Sequence, residues 1–188
     1  MNKKGAIIVI SAPSGTGKTT IIKNILKDFP SLVFSVSATT RRKRDNEADG
    51  IDYFFLSDEE FKKKIDRNEF IEWEEVYGYR YGTLKSFIEE NISKGKPVIL
   101  ELEVKGALSI KKIYKDAFLI FISPPNFEEL VNRLKKRQTE SYEELNKRIE
   151  RAKMELSMMN KFDYFVENKD LSKAVSEVKS LIKNIIKE

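Results

Sequence analysis

Short apolar runs separated by helical stretches dominate the pattern of this chain. Ala6-Ile7-Ile8-Val9-Ile10 is a β-branched run of the kind that forms a buried strand. Ile21, Ile22, Ile25, Leu26 and Phe29 then recur at helical spacing, and Pro30 closes the segment. Further buried strands are predicted at Val33–Ser37, Val98–Leu102, Phe118–Ile122 and Tyr164–Val166. Helical patterns separate most of them. One carries Leu84, Phe87, Ile88 and Ile92 ahead of Gly95 and Pro97; a second carries Ala107, Ile110 and Ile113; the last carries Ala174, Val178, Leu181, Ile182 and Ile185. Strands alternating with helices predict an α/β protein with a parallel sheet and helices on both faces.

Two stretches break the alternation. Residues 38–95 are polar, aromatic and charged, with strand-like pieces at Tyr53-Phe54-Phe55 and Phe70-Ile71-Glu72-Trp73 and a helix opening at the capping box Ser57–Glu60. Residues 126–161 follow Pro124-Pro125 and read as a helical hairpin rich in Arg and Lys. Both are expected as insertions at the carboxyl ends of strands, where open α/β sheets bind ligands. The remaining segments, 1–37, 96–125 and 162–188, are expected to form the core.

Composition narrows the chemistry. The 188 residues suit one sizeable α/β core, without a second independent domain. Cysteine and histidine are both absent, which removes disulfides, thiolate metal sites and the commonest general base. Catalysis would have to run on Lys, Arg, carboxylates, hydroxyls and a hard cation such as Mg²⁺. A net charge of +5 fits a phosphate-rich partner. No apolar stretch approaches a membrane span and no signal-peptide pattern is visible, so a soluble cytoplasmic protein is expected. There is no internal repeat.

The chemistry starts in the loop Ala12-Pro-Ser-Gly-Thr-Gly-Lys-Thr19, between the first strand and first helix. Gly15 and Gly17 let successive backbone N–H groups turn toward phosphate oxygens, and the helix N-terminus adds partial positive charge. Lys18 can reach β- and γ-phosphates, and Thr19 can place its hydroxyl on Mg²⁺. The strict motif has Gly where this chain has Ala12, but the strand–loop–helix context is the required one. A nucleotide triphosphate site is therefore expected, without yet a use for it.

The first insertion holds Arg41-Arg42-Lys43-Arg44, followed at once by Asp45, Glu47 and Asp49, and then Tyr53. The acids argue against an extended nucleic-acid surface, and a compact Arg pair with a phenol suits one small phosphate. Glu72, Ser37 and Thr83 together can read guanine, whose N1–H and N2–H₂ donate while O6 accepts. Glu72 as a surface acid beside a core Trp73 is the competing reading.

At this point the chain resembles the guanylate kinase family over essentially its whole length. The segments that carry the resemblance are Ser11–Thr19, Phe34-Ser-Val-Ser-Ala-Thr-Thr-Arg41, Arg44 with Glu47, Gly50-Ile-Asp-Tyr53, Glu69-Phe-Ile-Glu-Trp73, Tyr81-Gly-Thr83, the series Arg133, Arg137, Arg148, and Val166-Glu-Asn-Lys-Asp-Leu171. The resemblance implies transfer of the ATP γ-phosphoryl group to GMP or dGMP, with Mg²⁺ accompanying ATP. It implies a P-loop core, a GMP-binding insertion (38–95) and a lid (126–161). Ser14, Gly15, Thr16, Gly17, Lys18, Thr19, Thr20, Arg133 and Asn168 are the implied ATP contacts. Ser37, Arg41, Arg44, Glu47, Tyr53, Glu72, Tyr81, Thr83 and Glu103 are the implied GMP site. Lys18, Arg41, Arg137 and Arg148 are the implied catalytic residues, with Thr19 at the metal.

Two departures accompany this likeness. Where the family usually shows Asp-x-Asp-x-Gln-Gly, this chain has Glu101-Leu-Glu103-Val-Lys105-Gly106, and Gln138 stands where Gly is common. Among other readings, a GTPase is suggested by Asn160-Lys-Phe-Asp163, but that motif should follow a buried strand, and here it follows a polar helical stretch. A non-catalytic guanylate-kinase-like protein-binding module is the alternative, and the intact Lys18, Thr19 and arginine set argues against it. The expected partners are ATP and GMP, with no nucleic acid and no membrane, in a monomer or homo-oligomer.

Overall fold

The computed structural model describes residues 4–136 and 142–186. Strand β1 (Ile7–Ser11) leads through the glycine loop into helix α1 (Lys18–Asp28), and β2 (Val33–Ser35) follows. Next come β3 (Ala38–Thr39), β4 (Phe54–Phe55), α2 (Asp58–Asp66), β5 (Phe70–Val76), β6 (Tyr79–Leu84) and α3 (Lys85–Ser93). The chain continues with β7 (Val98–Leu102), α4 (Val104–Ile113), β8 (Phe118–Ser123), α5 (Phe127–Lys135), α6 (Tyr142–Ser157), β9 (Tyr164–Glu167) and α7 (Leu171–Ile186).

The main sheet runs β2-β7-β1-β8-β9, and every pairing in it is parallel. Its strands are apolar on both faces because helices cover both. On one side Ile8, Ile10, Ile99, Ile120 and Ile122 pack with α1 and α7 through Ile21, Ile25, Val178 and Ile182. On the other, Val9, Leu100, Leu119 and Phe121 pack with α3 and α4 through Ile88, Ile92, Ala107 and Ile110. Helix α3, placed by the sequence pattern inside the 38–95 segment, therefore packs on the core sheet.

The second sheet, β4-β3-β6-β5, is mixed and stands at the carboxyl end of β2. Helix α2 packs Phe61 under it, stacked 4.4 Å from Phe70, and begins at the expected capping box. Strands β5 and β6 form a hairpin whose two-residue turn, Tyr77-Gly78, has positive φ at both positions (53° and 80°), as a type I′ turn requires. Beyond β8, α5 and α6 pair through Leu130, Leu134 and Ala152. Asn126 caps α5 by accepting the Glu129 N–H. Among the described residues, no helix is long and apolar enough to cross a membrane.

Candidate active site

β1 lies at the centre of the parallel sheet between β7 and β8, so its loop opens where the strand order reverses. Gly15 and Gly17 sit at φ +90° and +86°, a region closed to most side chains. A Cβ on Gly17 would also come within 2.9 Å of the Asn168 amide. That amide donates to the Thr16 carbonyl, while the Thr16 hydroxyl donates to Pro13 O at 2.8 Å. The loop is thus held from both ends, with Asn168 reaching in from the segment after β9.

Lys18 opens α1 and points to the end of β7, where Nζ donates to Leu102 O at 3.1 Å and lies 3.4 Å from Glu103 Oε1. Burial opposes its charge, but Glu103, Glu101 and Glu155 outweigh burial and hold its pKa above the ordinary lysine value. Thr19 donates to Glu101 at 2.7 Å. Those two groups are hard oxygen donors suited to Mg²⁺. Among the described residues no set of three or more acidic side chains forms a metal cage. The donor set therefore fits an ion held mainly by phosphate oxygens and water, with one or two protein ligands.

The mixed sheet faces this loop with a second set of groups. Arg41 donates to Glu47 at 2.7 Å and to Arg42 O, and its guanidinium lies 5.3 Å over the Tyr53 ring. The Arg41 hydrogen bond holds the Glu47 carboxyl below the usual range. Tyr81 meets Tyr53 edge-on at 6.0 Å. Burial, then the charge of Glu101, pushes the Tyr53 phenol up, so it stays protonated as a donor. Arg44 is exposed, but its N–H donates to Glu47 at 2.9 Å. Arg42 and Lys43 are exposed too, so only part of the basic run turns inward.

Glu72 lies inside this sheet. A register shift between Phe70 and Glu72 re-aims the strand, and Thr83 opposite donates to Glu72 Oε1 at 2.6 Å. A Cβ on Gly106 would fall 2.7 Å from the other oxygen, so only glycine leaves that approach open. Burial pushes the Glu72 pKa up to about 7. Trp73, a core residue in the competing reading of Glu72, is instead 47% exposed. The pleat alternates, so an inward Glu72 requires an outward Trp73. Ser37 lies one residue before β3, half-buried, and its carbonyl accepts from Phe54 N–H.

The helical hairpin covers the loop. Arg148 donates to the Ser14 hydroxyl at 2.6 Å, and Leu134 packs against Gly15. Arg133 donates to Glu129 at 2.8 Å and to Asn168 O at 3.2 Å. It lines a cleft of about 370 Å³ with Pro125, Asn126, Glu129, Glu167 and Lys169. Arg137 and Gln138 lie outside the described residues.

Several groups that the sequence reading did not single out belong to this arrangement. Glu101 could have been found from its place beside Glu103 at the end of a buried strand. Glu74, Arg151 and Glu155 gave no comparable signal, because a polar helix and an acidic strand look solvated. Arg151 donates to Glu74 at 3.0 Å and to Glu155 at 2.9 Å, and stands 3.8 Å from Glu103. Burial and the charge of Glu103 push Glu155 up to about 7. Burial also raises Glu103, but Lys18 and Arg151 outweigh it and leave Glu103 below the usual carboxylate range. Glu103, one methylene longer than the usual Asp, thus stands between Lys18 and the helical hairpin. The Asn160–Asp163 motif has a structural use. Asp163 accepts from Lys111 at 2.9 Å and from the Leu119 N–H, and so joins β8 to the segment before β9.

The comparisons agree with this geometry. The guanylate kinase family model matches residues 4–185. A guanylate kinase of Thermotoga maritima is 49% identical over 96% of this chain and 87% of its own length. One from Chlorobaculum tepidum is 51% identical over 95% of this chain and 92% of its own. The crystal structure of guanylate kinase from Anaplasma phagocytophilum superposes with a TM-score of 0.81 at 30% identity, covering 97% of this chain and 87% of that one. With phosphate loop, acidic pocket and arginine-bearing hairpin all on one side of a parallel sheet, and with matches spanning nearly every residue, the chain belongs to the guanylate kinase family.

Proposed function

We propose that this site transfers the γ-phosphoryl group of ATP to the phosphate of GMP or dGMP, releasing ADP and the nucleoside diphosphate. One observation carries the reading: a loop built for a triphosphate faces a separate half-buried carboxylate, Glu72, paired to Thr83 at 2.6 Å. A desolvated carboxylate needs donors. Guanine supplies them at N1 and N2, whereas adenine presents a bare acceptor at N1.

In this reading Ser14–Thr20 cradle the ATP phosphates, Arg133 lines the cleft for the adenine end, and Asn168 supports both by holding the loop at Thr16 and accepting from Arg133. Ser37, Glu72 and Thr83 take the guanine edge. Arg41, Arg44, Tyr53 and Tyr81 hold the acceptor phosphate, with Glu47 fixing Arg41. Thr19 and Glu101 would hold Mg²⁺, which supplies charge neutralisation to the β- and γ-phosphates. Glu103 serves as a bridge between Lys18 and the acceptor side. The core, the acceptor sheet and the α5–α6 lid act as three units, working on soluble substrates in the cytoplasm.

No general base is required. A phosphomonoester's second pKa is about 6, so the acceptor is already largely dianionic near neutral pH. One of its oxygens attacks the γ-phosphorus while the bond to the β–γ bridging oxygen breaks, and ADP leaves with that electron pair. Lys18 and Arg148 face the charge that spreads over the transferring group, and Arg41 holds the attacking phosphate in line. The family resemblance adds Arg137 to this set, a residue that lies outside the described ones. The absence of histidine is compatible with all of these steps. The reading as a protein-binding module is not favoured, because it gives no use to an intact phosphate loop.

The test is a coupled assay for ADP with ATP, Mg²⁺ and one monophosphate at a time. Turnover with GMP and little with AMP, CMP or UMP is expected. Silence with all four would sink the enzyme reading.

A further inference from the structure

Arg151 lies on α6 one turn beyond Arg148, yet it faces a different partner. Arg148 reaches the phosphate loop at Ser14, whereas Arg151 reaches Glu74 on β5, in the acceptor sheet. Its Nε is fixed by Glu155 on its own helix, a carboxylate only 2% exposed. Its other terminal contacts are Glu103, at the N-terminus of α4, and the ring of Tyr77, 5.7 Å away at the tip of the β5–β6 hairpin. One guanidinium thus touches the lid, the acceptor sheet and the core at once.

The acceptor sheet has an electrostatic reason to need it. Glu72 and Glu74 alternate onto the same inward face of β5, so two carboxylates stand two residues apart in a poorly solvated place. Glu74 Oε2 is buried without a hydrogen-bond partner, and Oε1 has Arg151. With both side chains under a fifth exposed, this pair is not a screened surface contact. Withdrawing α6 would leave Glu74 uncompensated beside Glu72, which is costly for both.

We propose that Arg151 is a positioning residue that latches the lid to the acceptor sheet through Glu74, so that acceptor binding at Glu72 and Arg148 docking over the phosphate loop favour one another. The inference rests on the reading of β5 as the acceptor wall and α5–α6 as the lid. Its consequence is thermodynamic coupling between the two nucleotide sites, which is reciprocal by necessity. The latch residues touch neither nucleotide. Their loss removes the coupling and spares each binary complex.

Binding of the non-hydrolysable β,γ-imido analogue of ATP, with Mg²⁺, is measured by calorimetry with and without saturating GMP. The wild-type chain should bind it at least about 5-fold tighter with GMP present. Glu74→Gln and Arg151→Met should each bring that ratio close to one, with binary affinities within about 2-fold of wild type. The double variant should be no worse than either single variant, and Arg151→Lys should keep part of the ratio. A matched thermal midpoint for Glu74→Gln, whose side chain is isosteric, shows that the fold is retained.

An unchanged ratio in Glu74→Gln, additive losses in the double variant, or equal losses in binary and ternary binding would each overturn the latch. A wild-type ratio of one would overturn it as well. Failure of the wild-type chain to bind GMP would instead overturn the acceptor-site reading on which the latch rests, so the two failures are distinguishable.

Discussion

The two sheets of this molecule solve opposite problems. The parallel sheet buries Ile8, Val9, Ile10, Leu119, Ile120 and Phe121 completely, with helices on both faces. The mixed sheet buries little apolar surface beyond Ala38, Phe61 and Val76, and gives its interior to Glu72, Glu74, Thr83 and the Arg41–Glu47 pair. Apolar burial stabilises without direction, whereas buried charge is costly until a partner of the right geometry arrives. The first sheet is therefore a rigid platform. The second is poised for a ligand, and part of its compensation comes from elsewhere in the fold, through Arg151.

The largest effect should come where the platform meets the chemistry. Lys18→Ala is expected to lower turnover by about 10³-fold or more in the coupled assay, by analogy with loss of a preorganised charge partner. GMP binding by calorimetry should survive it; loss of GMP binding as well would mean that the two sheets are not separable as drawn.

Next in size is the platform itself. Ile120→Ala, at a position with no exposure, should cost about 2–5 kcal/mol in denaturant unfolding. A cost below about 1 kcal/mol would deny β8 its place at the rigid centre.

Glu72→Gln tests the ligand-dependent sheet. It should raise the KM for GMP by about 10–100-fold, the worth of a hydrogen bond to a charged group, with a smaller change in kcat. Retained preference for GMP over AMP would remove Glu72 from guanine recognition.

The same residue makes a signed prediction for pH. Its folded pKa, about 7, lies above the ordinary value of 4.5, so the folded chain binds more protons than the unfolded chain between them. Stability of the nucleotide-free protein should then fall as pH rises from about 4.5 through about 7 on account of this group. Glu155 adds a slope of the same sign. Glu47, held low by Arg41, adds the opposite: its contribution is present above 4.5 and lost as pH falls through its folded pKa. Thermal unfolding of Glu72→Gln between pH 5 and 8 should be flatter than wild type. A parallel curve would show that Glu72 is not desolvated.

The smallest effect is expected at Trp73, two atoms of backbone from the pocket but facing outward. Trp73→Ala should change stability by no more than about 0.5 kcal/mol. A large loss in denaturant unfolding would mean that this face of β5 is covered in solution.

Much of the platform was legible from one sequence. Runs such as Ile7–Ile10 and Phe118–Ile122 are apolar at every position, and the alternating helical pattern leaves few ways to cover them. The capping box at Ser57 was legible for the same reason, since its hydrogen bonds close within four residues. The mixed sheet was harder. The competing reading, with Trp73 in the core and Glu72 at the surface, fails because the register shift before Glu72 decides which side of the pleat is buried. Helix α3 falls within the 38–95 stretch of the chain, yet its Ile88 and Ile92 belong to the core.

The sequence by itself determined the phosphate loop, the alternation of apolar strands with helices and the set of residues available for chemistry, because each depends on local spacing or on composition. Only the tertiary structure decided that Glu103 stands at Lys18, that Glu101 meets Thr19, and that Arg151 joins α6 to Glu74 across 77 positions of sequence. Those contacts are between charges. A charge carries no periodicity that announces its partner, and its energy depends on the burial that the assembled fold imposes.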